Sequence, residues 1–114
     1  MAVQEHLRIE LRRDQDLAVL RLDGELDLAS TPLFQAELDS PAVSAAAKLL
    51  IDLCDLNFID STGLRTIFSA QAQARERGQE FAVTQGSQQV QRLLAITRME
   101  DHLRIVAGPG EMLA

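Results

Sequence analysis

The tetrad Asp60-Ser61-Thr62-Gly63 places a carboxylate and two hydroxyls between two strongly apolar runs, within "LIDLCDLNFIDSTGLRTI" (50–67). Two kinds of chemistry fit this group. Asp60 or Ser61 could accept hydrogen bonds from the first free N–H groups of a following helix, which is ordinary capping. Alternatively, one hydroxyl could be present to be modified, for example by phosphorylation. Capping accounts for one polar residue, and the residue types leave both interpretations open.

A second acidic segment, "DGELDLAST" (23–31), contributes Glu25 and Asp27. It follows a predicted strand, as does the segment 57–63 that contains Ser61. In a parallel α/β sheet, functional groups gather at the carboxyl ends of the strands. We therefore expect these two loops to converge at one end of the sheet.

An enzymatic function is less well supported by these residues. Ser61 lacks the Gly-x-Ser-x-Gly frame that turns a hydrolase serine sharply out of a strand. The histidines of the sequence, His6 and His102, lie in or beside predicted strands, and nothing in the pattern brings either one to Ser61. A small serine hydrolase remains a distant alternative, and we predict no catalytic residue.

Metal and cofactor sites are not predicted either. Asp52, Asp55 and Asp60 could suggest a magnesium cluster, but Asp52 lies inside a predicted strand whose neighbouring side chains alternate between faces. No histidine or second carboxylate motif completes a site of the kind that hard cations need. A glycine-rich phosphate cradle is also missing from the sequence.

Composition narrows the class of partner. A chain of 114 residues with 46% hydrophobic and 25% charged residues fits one globular domain, 1–114. The net charge of −6 disfavours nucleic acid and anionic lipid, so a protein partner is the better expectation. The lone Cys54, in an apolar run, reads as a buried small hydrophobe of a reducing compartment. With no signal peptide or membrane-length apolar run, we expect a cytoplasmic protein without membrane insertion.

Five segments carry the apolar patterns of β-strands. The first two form a hairpin around a turn at 13–16. The third is nearly continuously apolar, which is typical of a strand buried on both faces of a parallel sheet. The predicted strands are 6–12, 17–24, 48–56, 80–84 and 103–107.

Helices are predicted between the later strands. The first has Thr31 as N-cap and Pro32 at the first helical position, and Pro41 ends or breaks it. A helix at 88–97 is capped by Ser87. The segment 110–114 is expected to begin a short terminal helix.

The helix after Ser61 is predicted to bury one stripe and to end at Gly78, the C′ glycine. The stripe residues are Leu64, Ile67, Phe68 and Ala72. The complete order is β-β-α-β-α-β-α-β. It predicts an α/β fold with a mixed, mostly parallel five-stranded sheet, an antiparallel N-terminal hairpin and three to four helices.

These residues carry a resemblance to a known family. The segments "LDGELDLASTPLFQAEL" (22–38), "LLIDLCDLNFIDSTGLRTI" (49–67) and "LLAITRMEDHLRIV" (93–106) resemble, in order and spacing, the STAS domain family. The similarity is specifically to stand-alone bacterial anti-sigma factor antagonists. It spans about residues 9–106, and the pairing of "GELD" with "DSTGL" is its most specific feature.

The resemblance implies a partner switch. In this family the unphosphorylated antagonist binds an anti-sigma factor that is itself a serine kinase with a GHKL-type ATP site, and so releases a sigma factor. The kinase then phosphorylates the serine after the motif Asp, and a PP2C-type phosphatase resets it. The acceptor maps onto Ser61, and the implied partner-binding residues are Asp27, Asp60, Ser61, Thr62, Gly63 and Leu64.

Two positions depart from the family pattern. Asn57 stands where a small hydroxyl residue is frequent, and Arg98 stands where glycine is common. Arg98 could therefore alter the turn before the last strand. The "DS-x-GL" motif also occurs in transport-associated STAS domains, so an accessory subunit of a transporter or another nucleotide-dependent complex is an alternative function.

Overall fold

The computed structural model describes residues 6–113, the side chains of residues 99 and 100 excepted. Its five strands form one sheet in the order β1-β2-β3-β4-β5. The pair β1–β2 is antiparallel and every other neighbouring pair is parallel, as predicted. The strands are β1 (Leu7–Asp14), β2 (Leu17–Leu26), β3 (Lys48–Ile59), β4 (Glu80–Thr84) and β5 (Ile105–Val106).

Four α-helices connect the parallel strands, which confirms the predicted α/β architecture. They are α1 (Thr31–Leu38), α2 (Pro41–Ser44), α3 (Ser61–Glu76) and α4 (Gln88–Ile96). Two 3₁₀ turns follow, at Met99–His102 and Pro109–Glu111.

Several boundaries differ from prediction. The N-cap of α1 is Ser30, so Thr31 is already the first helical residue and Pro32 the second. Pro41 does more than end α1, because it also begins α2 at the position where a missing N–H costs nothing.

The C-terminal part also differs. β5 spans two residues rather than five, and the segment predicted as a terminal helix holds the 3₁₀ turn Pro109–Glu111. Arg98, the position where glycine is common, adopts a left-handed φ of +58°. Glycine populates that region at no steric cost, which explains the preference for it there.

The main core lies between one face of the sheet and the helices. Leu20 and Leu22 of β2, Ile51 of β3, Phe34 of α1 and Ile67 of α3 are all buried in it. The opposite face is covered over only one end, where Leu17, Val19, Leu50, Ala82 and Val106 pack with Met112 of the C-terminal segment. The rest of that face carries polar and charged side chains.

Strand β3 is longer than predicted because its pairing with β2 continues to Ile59, and it contains two more residues than β2. The register slips once between the Arg21 and Asp23 pairs and again between the Gly24 and Glu25 pairs. Each β-bulge resets which side chain faces the core. Cys54 lies on the same face as Asp52, because Ile51 and Leu53 both face the main core. That part of the face is not covered by the C-terminal segment, so Cys54 is exposed and its prediction as a buried hydrophobe is wrong.

Helix α3 buries a slightly different stripe from the predicted one. Leu64 and Ile67 are buried as expected, whereas Phe68 is only partly buried and Ala72 is exposed. The stripe continues instead through Ala70 and Ala74, and begins at Gly63. Small residues in the stripe let α3 pack close to the sheet. Gly78 follows the C-cap with a φ of +71°, as predicted.

Candidate functional site

The two acidic loops converge because their strands are parallel neighbours. Leu26 and Ile59, the last residues of β2 and β3, are paired in register. The backbone N–H of Asp60 then donates to the carbonyl of Leu26, with an N···O distance of 3.2 Å. The predicted convergence at the carboxyl end of the sheet is therefore confirmed.

Asp60 links the two loops with both of its carboxylate oxygens. Its Oδ1 accepts from the N–H of Gly63 at 2.8 Å, which makes Asp60 the N-cap of α3. Its Oδ2 accepts from the N–H of Leu28, in the β2–α1 loop, at 3.1 Å. One side chain thus fixes the start of α3 and the neighbouring loop together.

Gly63 brings the start of α3 directly against the end of β2. A Cβ at this position would lie 2.4 Å from the carbonyl oxygen of Leu26 and 2.9 Å from Leu26 Cγ. It would also lie 3.0 Å from Cγ1 of Ile59. Glycine is needed here for close approach rather than for an unusual backbone angle.

Asp27 caps the turn that leads into α1. Its Oδ1 accepts from the N–H of Ser30 at 3.0 Å, and Ser30 Oγ accepts from the N–H of Asp27 at 2.9 Å, the reciprocal pattern of a capping box. Ser30 Oγ also donates to the carbonyl of Glu25 at 2.9 Å, and Ser30 is 8% exposed. The sequence reasoning missed this role of Ser30, although the Asp-x-x-Ser spacing signals it.

Gln89 fixes the backbone at the end of β3, on the side away from β2. The N–H of Ile59 donates to Gln89 Oε1 at 2.8 Å, and Gln89 Nε2 donates to the carbonyl of Ile59 at 3.0 Å. The β4 pairing of β3 covers 48–51, so this amide serves Ile59 in place of a neighbouring strand. The bond joins residues 30 positions apart, and no sequence pattern could have revealed it.

Ser61 is the first residue of α3 and is exposed. Within residues 6–113, its hydroxyl has no hydrogen-bond partner, because Asp60 caps the helix. Thr62 is half-buried, and its carbonyl accepts from the hydroxyl of Thr66 at 3.0 Å. Within the tetrad, both carboxylate oxygens of Asp60 accept backbone N–H groups, whereas the hydroxyl of Ser61 is exposed and accessible.

Exposed apolar and basic residues occur in the segments that adjoin Ser61. Leu28, whose N–H is bound by Asp60, is 71% exposed, and Phe58, three residues before Ser61, is 40% exposed. Arg65 lies one helical turn after Ser61 and is exposed. Gly63 and Leu64 are buried beneath this surface.

Further down the open face, Arg21 forms an ion pair with Asp55. Its Nε donates to Asp55 Oδ2 at 2.6 Å, and this carboxylate raises the pKa of Arg21. For the Cys54 thiol, a hydrogen bond with Thr84 lowers the pKa, but partial burial and the Asp52 carboxylate outweigh it and raise the pKa.

Metal-binding groups and membrane-spanning helices are features of the described part of the chain that would bear on function. It contains no group of three or more His, Cys, Asp or Glu residues placed to hold a metal ion. No helix among residues 6–113 combines the length and apolarity needed to cross a membrane.

Known proteins match this chain over nearly its whole length. The family model described as the STAS domain matches residues 8–111. A Listeria monocytogenes protein named anti-sigma-B factor antagonist is 32% identical over 108 residues, covering 94% of this chain and 95% of that protein. A relative of the same name from Bacillus subtilis is 26% identical, covering 90% of this chain and 93% of that protein.

Solved structures agree with the fold. The crystal structure of an anti-sigma factor antagonist from Mycobacterium paratuberculosis superposes with a TM-score of 0.81 at 18% identity, covering 99% of this chain and 96% of that one. The chain belongs to the STAS domain family, and these Listeria and Bacillus relatives are named anti-sigma factor antagonists.

Proposed function

We propose that this protein is a phosphorylation-controlled partner switch that acts in the cytoplasm and has no catalytic activity of its own. Unphosphorylated, it binds and sequesters an anti-sigma factor of the serine-kinase type with a GHKL ATP site, and thereby releases a sigma factor. Phosphorylation of Ser61 abolishes this binding, and a PP2C-type phosphatase restores it. The names of the relatives support the anti-sigma partner.

The observation that carries the proposal is that Asp60 and Ser61 have different roles. Both oxygens of Asp60 accept backbone N–H groups, so this carboxylate holds the corner rigid. The neighbouring Ser61 hydroxyl is exposed at the first position of a 16-residue helix. A kinase can therefore reach it without unfolding the segment.

The fold should tolerate a phosphate on Ser61. The positive end of the α3 dipole stabilises a nearby anion by about 0.3–1 kcal/mol. Arg65, at i+4, adds about 0.2–0.5 kcal/mol in the favourable acid-before-base order. The like charge of Asp60 opposes these contributions, so the net change in folding free energy is small.

A bound partner should not tolerate the phosphate. Leu28 and Phe58 provide exposed apolar surface beside Ser61, and such surface suits close contact with another protein. Phosphorylation would place about −1.5 to −2 charges inside that contact, next to Asp60. Burying an unpaired charge is costly, so binding should be lost while the fold stays intact. Asp27 and Thr62 complete the proposed contact surface, and the buried Gly63 and Leu64 hold it in shape.

The decisive experiment combines mass spectrometry with calorimetry. The serine-kinase anti-sigma factor of the same organism, with ATP, should add one phosphate to the wild type and to Thr62→Ala, and none to Ser61→Ala. Titration of the kinase with Ser61→Asp should give binding weaker by about 2–4 kcal/mol than wild type. Phosphate found on Thr62 alone, or undiminished binding by Ser61→Asp with an unchanged fold, would contradict the proposal.

A further inference from the structure

The free edge of strand β1 is an unusual feature of the sheet. Within the described residues, β1 is hydrogen-bonded on one side, to β2, and its other side forms the edge of the sheet. Its eight residues pair with β2 without a bulge, from Leu7–Gly24 to Asp14–Leu17, and they include no proline. Bulges, prolines, short lengths and charged side chains are the usual devices that protect an edge from pairing with another chain, and β1 has only the charged side chains.

The backbone groups that this edge presents follow from one hydrogen bond. The N–H of Glu25 donates to the carbonyl of His6 at 2.7 Å, so His6 and Glu25 are a hydrogen-bonded pair of the antiparallel ladder. Such pairs alternate along the two strands. Even-numbered residues of β1 are therefore bonded to β2, and Leu7, Ile9, Leu11 and Arg13 direct their N–H and carbonyl groups outward.

The side chains on β1 alternate in charge along its open face. Arg8, Glu10, Arg12 and Asp14 are all exposed and share one face of the strand. In an antiparallel pairing of two copies centred on Leu11, Arg8 lies opposite Asp14 of the second copy. Glu10 then lies opposite Arg12 of the second copy. Two-fold symmetry repeats both pairs, so four opposite-charge pairs form.

The neighbouring registers are less favourable. Centring on Glu10 sets Glu10 opposite Glu10 and Arg8 opposite Arg12, and like charges facing each other across strands are destabilising. Centring on Ile9 pairs Arg8 with Glu10, but within the described residues it places no charged residue opposite Asp14. The register centred on Leu11 satisfies all four charged residues and the outward backbone groups together.

We propose that β1 is a docking edge for a second copy of this chain, paired antiparallel about Leu11 to form a continuous ten-stranded sheet. We propose a second copy as the partner because the charge pattern of β1 is complementary to itself. The side chains of Ile9 and Leu11, which are only partly buried in the single chain, lose further solvent contact on the helix-covered side. The proposed contact at Ser61 follows β3, whereas this pairing uses β1, so the two proposals involve different strands and can be tested separately.

Charge exchange across the two-fold axis provides the test. Sedimentation equilibrium of the wild type at about 0.15 M salt and up to about 1 mM protein should show a reversible dimer, since small interfaces associate weakly. Arg12→Glu and Glu10→Arg should each remain monomeric, because each sets like charges opposite one another twice. A one-to-one mixture of the two variants should form a heterodimer, and the double variant Glu10→Arg/Arg12→Glu should dimerise again.

The controls separate pairing from folding. Circular dichroism melts establish that each variant is folded, and Arg12→Glu is the safer variant because Arg12 faces the uncharged Val19 across β2. Glu10 faces Arg21, so Glu10→Arg also introduces repulsion within one chain. A wild type that is monomeric at every concentration overturns the proposal. Dimerisation of Arg12→Glu as tight as wild type overturns the register centred on Leu11.

Discussion

Ser30 and Ser61 occupy comparable places, yet the structure uses them differently. Each precedes or begins a helix that follows a parallel strand, and each has an aspartate close by. Ser30 is buried, and its hydroxyl bonds the N–H of Asp27 and the carbonyl of Glu25. Ser61 is exposed, because Asp60 has already capped α3. The two serines therefore differ in whether backbone groups of the preceding loop bind the hydroxyl, as they do for Ser30.

The largest expected effect on stability concerns Gly63, where the start of α3 packs against the end of β2. Gly63→Ala forces a methyl group to within 2.4 Å of the Leu26 carbonyl oxygen, and a backbone atom cannot easily move away. We expect a loss of about 3 kcal/mol of unfolding free energy, at the upper end of overpacking effects. Urea titration followed by circular dichroism measures it, since the chain has no Trp or Tyr to report by fluorescence.

Gly110→Ala is the matched control for that change. No heavy atom outside its chain neighbours lies within 4 Å of a Cβ built at Gly110. Its effect should stay within about 0.5 kcal/mol. Equal stability of Gly63→Ala and wild type would show that α3 does not start against β2 as described.

The next effect tests the structural serine. Ser30→Ala removes a buried hydroxyl and leaves the N–H of Asp27 and the carbonyl of Glu25 without that partner. We expect a loss of about 2 kcal/mol, the cost of buried polar groups left unpaired. Thermal and urea unfolding of this variant should be compared directly with those of Ser61→Ala. A loss below about 0.5 kcal/mol would remove the distinction between the two serines.

The cap of α3 should matter somewhat less. Asp60→Ala deletes the N-cap and the acceptor of the Leu28 N–H, for an expected loss of about 1 kcal/mol. Asp60→Asn retains an N-cap acceptor and should lose less than Asp60→Ala. If the two variants are equally destabilised in urea titration, the cap hydrogen bond is not the source of the effect.

The smallest effect is expected at the available serine. A capping serine would lose about 1 kcal/mol on conversion to alanine. Ser61 does not cap α3, so Ser61→Ala should change stability by less than about 0.5 kcal/mol. Ser61→Asp should change it by no more than about 1 kcal/mol, the value of a charge at an exposed helix end. Unfolding of Ser61→Asp at room temperature would show that the fold depends on this position.

The sequence predicted most of the fold because its apolar periodicity is strong. The hairpin, the parallel strands and the helices starting near Ser61 and Ser87 follow from alternation, capping residues and Gly78. The exposure of Cys54 could not be predicted, because an apolar run does not show that only one end of the second face of the sheet is covered. The short length of β5 could not be predicted either, since an apolar run does not reveal whether a neighbouring strand extends beside it.

The site was predictable in its location but not in its internal roles. The order of parallel strands sufficed to bring the Asp27 and Asp60 loops together. Which of Asp60 and Ser61 caps α3 depends on a carboxylate that also reaches Leu28, 32 positions away in the chain. The bond from Gln89 to Ile59 spans 30 positions in the same way. Such long-range hydrogen bonds leave no periodic trace in the sequence.

The shared acceptor on Asp60 also has a consequence for hydrogen exchange. The amide protons of Leu28 and Gly63 bind the two oxygens of one carboxylate, so a single local opening that displaces this side chain exposes both of them. Leu28 is otherwise an exposed loop residue, whose amide would exchange quickly without this bond. The two amides should therefore exchange at linked rates, and the Leu28 amide becomes a reporter, in an exposed loop, of whether the first turn of α3 is formed.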